Sequence, residues 1–193
     1  MPETIKALCV YCGSNSGRRD EYAQAARGLG RLLATNGIGL VYGGAGRGLM
    51  GVIADEVLAA GGTVQGVIPE ALLAKEIAHP RLNELHVVHS MHERKSMMAE
   101  LSDGFVAMPG GFGTLEEIVE MLTWAQLGIH TKPCGLLNVG GYFDGLLTYF
   151  DHALAELFVK PAHREMLLVD ADAGRLLAKF RAYAAPPAGK WLD

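Results

Sequence analysis

Short apolar runs alternate with amphipathic stretches along this chain, and glycine-rich turns stand between them. Ile5 to Tyr11, Ile38 to Tyr42, Thr63 to Ile68, Glu84 to Val88, Gly104 to Met108, Pro133 to Asn138 and Met166 to Val169 read as strands. Pro69 is expected to break the third. Glu21 to Asn36 carries Tyr22, Ala25, Ala26, Leu29, Leu32 and Leu33 at the spacing of a one-faced helix. Leu49 to Ala60, Ser90 to Ser102, Thr114 to Leu127, Tyr142 to Leu157 and Ala173 to Tyr183 also read as helices. Glu70 to Asn83 is less regular, a helix or lid followed by a loop. Apolar strands alternating with amphipathic helices imply a parallel sheet covered on both faces. The expected fold is α/β, a single Rossmann-like domain over residues 1–183. Its sheet is open, doubly wound and mostly parallel, with helices on both faces. Residues 184–193, with Pro186 and Pro187, are expected to form a loosely held tail. Ligands of such sheets bind at the carboxyl ends of the strands, so the loops there are where chemistry is sought.

Charge and composition narrow the ligand. The chain has 193 residues, the length of one domain, and half are hydrophobic, which excludes disorder. Lys and Arg total 17 against 21 Asp and Glu, a net charge of −4, and no segment is strongly basic. Nucleic acid is therefore not an expected partner, whereas a small anion needs only a few local cations. No apolar run is long enough to cross a bilayer, and Met1 to Lys6 holds no apolar signal core, so no membrane partner is expected. The three cysteines fit a reducing cytoplasm. Cys9 and Cys12 form a C-x-x-C at the first strand, where that spacing puts their side chains on opposite faces. They read as packing residues.

Glycine is in excess: 25 residues, nearly twice the usual share of about 7%. Gly46-Arg47-Gly48-Leu49-Met50-Gly51 matches the dinucleotide pattern G-x-G-x-x-G, with Glu70 as the acidic residue further on. It follows the second strand rather than the first, and Gly43 and Gly44 precede it. A dinucleotide site, a mononucleotide site and tight helix–strand packing all remain open for this loop. Pro109-Gly110-Gly111-Phe112-Gly113-Thr114 is more specific. Its glycines turn backbone N–H groups outward at a helix start, an arrangement suited to one phosphate. No G-K-[ST] follows, so it is not a Walker loop. Thr114-x-x-Glu117 has the spacing of a capping box, which would turn Glu117 back onto the backbone. Against that, Glu116 and Glu117 beside a phosphate cost Coulomb energy unless cations or chemistry need them. Arg94 and Lys95 supply cations, after a second capping box at Ser90 and Glu93. Arg94 shares a helix face with Met98 and Leu101. His89 and His92 lack a convincing set of further ligands, so no metal is expected. Met97, Met98 and Met108 suit core packing or an apolar pocket wall.

Met91-x-x-Arg94-Lys95 followed by Pro109 through Glu117 resembles the LOG (Lonely Guy) family of cytokinin riboside 5′-monophosphate phosphoribohydrolases. Cys12-Gly13-Ser14 and Tyr42-Gly43-Gly44 extend the resemblance over nearly the whole chain. Ala45 stands where many relatives carry a third consecutive glycine. The resemblance implies a homodimer that hydrolyses the N-glycosidic bond of adenine-type nucleoside 5′-monophosphates, without cofactor or metal. It assigns Arg94 and Glu117 to catalysis. The phosphate loop falls on Gly110, Gly111, Gly113 and Thr114, with Phe112, Leu115 and Glu116 beside them. Further substrate contacts fall on Glu76, Lys95 and Thr123, and on Gly13, Ser14, Gly43 and Gly44. Members of the family have carried the label lysine decarboxylase, which no pyridoxal-phosphate lysine site in this sequence supports. Two other classes are weighed beside the hydrolase: a nucleotide-binding carrier or sensor without turnover, and a dinucleotide-dependent oxidoreductase.

Overall fold

The computed structural model describes residues 5–186, with the side chains of residues 74–76 left out. Seven strands, β1 (Ala7–Tyr11), β2 (Gly39–Tyr42), β3 (Val64–Pro69), β4 (Glu84–Val88), β5 (Phe105–Ala107), β6 (Cys134–Leu137) and β7 (Leu167–Asp170), form one sheet in the order β4-β3-β2-β1-β5-β6-β7. Every neighbouring pair is parallel. The connecting helices are α1 (Asp20–Thr35), α2 (Gly48–Ala59), α3 (Glu70–Glu76), α4 (Met91–Glu100), α5 (Phe112–Gln126), α6 (Asp144–Ala155), α7 (Pro161–Arg164) and α8 (Ala173–Ala182). The expected open, doubly wound α/β sheet is the one observed. Part of the expected tail, residues 187–193, lies outside the described residues.

Alternation along β1 divides the core. Leu8, Val10 and Cys12 pack with Leu29 and Leu33 of α1, Ile53 and Val57 of α2, and Phe180 of α8. Cys9 and Tyr11 face the other side, among Met98 of α4 and Ile118 and Met121 of α5. Successive strand side chains point to opposite faces, so the two cysteines separate as their spacing requires. Both are unpaired and buried. Burial pushes both thiols well above their ordinary range, and the negative charge of Glu117 adds to it.

Two local expectations change. β3 continues through Pro69, which pairs with Val88. Pairing of β3 with β2 ends at Gly66, so Pro69 has a strand on one side only and costs little there for want of an N–H. The segment after it begins with a helix, α3, in keeping with the helix-then-loop reading. The helix expected from Thr114 starts at Phe112, with Gly111 as its cap.

The chain builds the sheet outward from β1 to β4, then returns to lay β5 against the other side of β1. That reversal opens a crevice at the carboxyl ends of β1 and β5. Register there is close, with Tyr11 opposite Ala107, and the loops after these strands meet directly.

Candidate active site

Three glycine loops are fastened into one platform by their backbones. The Gly13 N–H donates to the Pro109 carbonyl at 3.0 Å, and the Leu49 N–H donates to the Gly13 carbonyl at 3.0 Å. A cavity of roughly 290 Å³ opens on this platform, near the lower edge of the ~300–1,000 Å³ usual for small-ligand clefts. Gly13, Ser14, Gly43, Arg94, Gly111, Phe112, Gly113, Thr114, Glu116 and Glu117 line it. These expected residues come from four separate loop-to-helix junctions.

The start of α5 forms one wall. Gly111 caps it in an extended conformation with no side-chain hydrogen bond. The first helical bond runs from the Leu115 N–H to the Gly111 carbonyl, so the N–H groups of Phe112, Gly113 and Thr114 have no acceptor within the helix. The first turn carries no acidic residue. These donors and the positive end of the helix dipole suit an anion. The capping box weighed against a catalytic Glu117 lacks its cap, because Thr114 lies inside the first turn and Gly111 takes the cap position. Glu117 sits a turn deeper and lines the cavity.

Arg94 enters from α4. Ser90 caps that helix, its hydroxyl accepting from the Glu93 N–H, as its spacing predicts. Glu93 reaches back one residue further than the box requires, to the His89 N–H. Arg94 is only 5% exposed; its Nη2 donates to the Gly43 carbonyl at 3.0 Å. A side chain at Gly43 would collide with the Arg94 guanidinium, so glycine is required there for the arginine to reach its place.

The other expected residues lie elsewhere. Lys95, one position along α4, points away and pairs with Glu116 and Glu120. Burial opposes its charge, but hydrogen bonds to those carboxylates raise its pKa overall. Gly44 is buried against β3 and Leu85 rather than lining the cavity; its carbonyl accepts from the His79 N–H, while the Gly46 N–H donates to the Ile77 carbonyl. The donors a pyrophosphate would need from this loop are therefore partly spent, which weakens the dinucleotide reading. Gly110 lines a neighbouring cavity. Leu115 and Thr123 line an apolar groove on the outer side of α5. Thr123 stands about 14 Å along the helix from Thr114 at 1.5 Å per residue. Glu76 closes α3, and its side chain lies outside the described residues.

Sequence reasoning missed much of the apolar lining, namely Met50, Leu72 and Met91, while Met98 joins it as one of the methionines weighed for a pocket wall. Met50 lies inside the glycine pattern and Met91 opens the Met-x-x-Arg-Lys motif, a signal the spacing already contained. Met97 and Met108 are not among the lining residues.

Residues 50–180 match the family described as "Possible lysine decarboxylase". A cytokinin riboside 5′-monophosphate phosphoribohydrolase of Rhodococcoides fascians is 51% identical over 93% of this chain and 91% of its own length. An Arabidopsis thaliana protein of the same name is 49% identical over 93% of this chain and 78% of its own. Among solved structures, the molybdenum cofactor binding protein of Rippkaea orientalis aligns with a TM-score of 0.68 at 20% identity, over 92% of this chain and 96% of that one. The molybdenum cofactor carrier protein of Chlamydomonas reinhardtii aligns at 0.66 and 24%, over 90% and 99%. At those identities the two structures share the fold.

Proposed function

The chain belongs to the LOG family of cytokinin riboside 5′-monophosphate phosphoribohydrolases, and we propose from that premise how its cavity works. The protein hydrolyses the N-glycosidic bond of adenine-type nucleoside 5′-monophosphates, releasing the free base and ribose 5-phosphate. The observation that carries the site assignment is that Arg94, Glu117 and the open N–H groups of α5 line one cavity at the sheet's reversal point.

Cleavage of a ribosyl–base bond passes through an oxocarbenium-like state with positive charge at the anomeric carbon. The Glu117 carboxylate stabilises that charge and orients or deprotonates the attacking water. The N–H groups of Gly111 through Thr114 hold the 5′-phosphate about one helical turn away, fixing the ribose against Glu117. Arg94 offsets the negative charge of phosphate and carboxylates. Met50, Leu72 and Met91 offer apolar surface to the base. Decarboxylation of lysine through a pyridoxal Schiff base fits poorly: among the described residues no lysine lines the cavity. Lys95 is held charged, whereas a Schiff-base lysine needs a lowered pKa.

Residues 1–183 act as one catalytic domain. The groove on the outer side of α5 and α6 holds Leu115, Trp124, Leu127 and Tyr149, with Tyr149 63% exposed. A second copy of the chain covers it in a homodimer. Thr123 lies in that groove, so it meets a nucleotide only by way of the second copy. No nucleic acid takes part, in keeping with the net charge of −4. No helix among the described residues is long and apolar enough to cross a membrane, and three unpaired cysteines suit a reducing cytoplasm.

Base release from AMP tests the mechanism. Glu117→Gln and Arg94→Ala should each remain folded and lose about a hundredfold or more in kcat/KM. Near-normal turnover by Glu117→Gln overturns the role given to the carboxylate. Adenosine, lacking the phosphate anchor, should be a poor substrate, and rates comparable to AMP refute the anchor.

A further inference from the structure

Tyr142 is not among the residues lining the catalytic cavity, yet its hydroxyl donates to the Gly110 carbonyl at 2.6 Å. It belongs to the turn between β6 and α6, which is shaped to bring it there. Gly140 and Gly141 take φ of 57° and 73°, and a side chain at Gly140 would strike Glu21 of α1. The Asn138 Oδ1 accepts from the Phe143 N–H at 2.7 Å, and its Nδ2 donates to Asp144 at 2.7 Å. The Tyr142 ring packs edge-on against Tyr22 of α1, at 5.6 Å, and against Phe143, at 5.0 Å. The ring is thus held before its hydroxyl meets the loop, and the bond lies at the short end for O–H···O.

The peptide joining Gly110 to Gly111 is trans and planar, so its carbonyl and its N–H point in opposite directions. With a glycine on each side, this plane is among the freest in the loop to rotate. We propose that Tyr142 is a positioning residue for the phosphate site. By holding the Gly110 carbonyl on its own side, it turns the Gly111 N–H toward the phosphate, in line with the N–H groups that open α5. This inference rests on reading the cavity as a nucleoside monophosphate site. Tyr142 acts through the loop and does not touch the substrate.

Tyr142→Phe keeps the ring contacts and removes only the donor. Binding of ribose 5-phosphate, measured by calorimetry, should weaken about three- to tenfold, the net worth of one hydrogen bond. KM for AMP should rise by a similar factor while kcat stays within about twofold, the pattern of lost ground-state binding. The slow hydrolysis of adenosine should not change. Tyr22→Phe, which removes a hydroxyl from the same aromatic pair but not from the loop, should bind ribose 5-phosphate as the wild type does. Equal affinity in wild type and Tyr142→Phe overturns the proposal, as does a parallel fall in AMP and adenosine turnover, which marks a general loosening. The affinity comparison needs no turnover. Wild-type protein that binds ribose 5-phosphate but hydrolyses no nucleotide refutes the catalytic reading, while the same ratio still decides the part of Tyr142.

Discussion

At Glu117 two uses of a carboxylate compete, and its place in α5 favours the cavity over the cap. The threonine three residues earlier has the spacing of a capping partner, so the local pattern favours a backbone role. Because the helix starts at Phe112, Thr114 is already inside it and Glu117 lines the cavity instead. Its neighbour Glu116 is engaged by Lys95, which separates two adjacent lysine and arginine roles. Lys95→Met should destabilise the fold by about 1–3 kcal/mol, because two carboxylates lose a cation whose side chain is 8% exposed. Its loss in kcat/KM should be smaller than that of Arg94→Ala. Chemical denaturation and kinetics on the two variants check this. Gly43→Ala should do the reverse, since its Cβ displaces the Arg94 guanidinium. Turnover should fall toward that of Arg94→Ala with the melting temperature little changed.

Among the elements, the strands were the most legible. Each expected strand appears, within a few residues; the central ones are continuous apolar runs buried on both faces, and only the edge strand β4, Glu-Leu-His-Val-Val, is largely exposed. Helix starts were less legible: Gly111 caps α5 without a side chain, and a glycine cap leaves no pattern comparable to Ser90 before α4. The short α7 at Pro161–Arg164 had no periodicity to reveal it. At the far edge, β7 is joined to α8 through Asp170. Its carboxylate accepts from the Asp172 N–H and from Arg175, with Lys179 at 3.0 Å. The Asp172 N–H first, then Arg175, holds its pKa well below the usual carboxylate range. A depressed folded pKa stabilises the fold above the unfolded value of about 3.9 and is lost as pH falls through the folded value. Asp170→Asn should therefore melt about 2–4 °C lower near neutral pH, the scale of one hydrogen bond in a domain this size. The gap from wild type should close progressively below about pH 4. Thermal melts across that range check the sign.

For the molecule as a whole, the apolar face of α5 and α6 and the candidate catalytic cavity meet at Phe112 and Glu116, which line both. If a second copy covers this face as proposed, assembly and activity should be coupled. Tyr149→Glu, remote from the cavity lining, should shift the protein toward monomer in sedimentation velocity. It should also raise KM for AMP. A dimer that persists unchanged places the interface elsewhere.

Hydrophobic period alone determined the layered α/β sheet, since apolar strands need cover on both faces whatever their order. The glycine-rich motif before α5 likewise marked from sequence a loop with open N–H groups, because such a loop exposes them wherever it lies. Strand order was settled only in three dimensions. It puts β5 beside β1, ties Gly13 to Pro109, and brings Arg94 from α4 to the Gly43 carbonyl. It also turns Lys95 away and sets the Tyr142 hydroxyl on the Gly110 carbonyl. These are contacts between residues far apart along the chain, and a local pattern carries no record of which distant element will fill the space beside it.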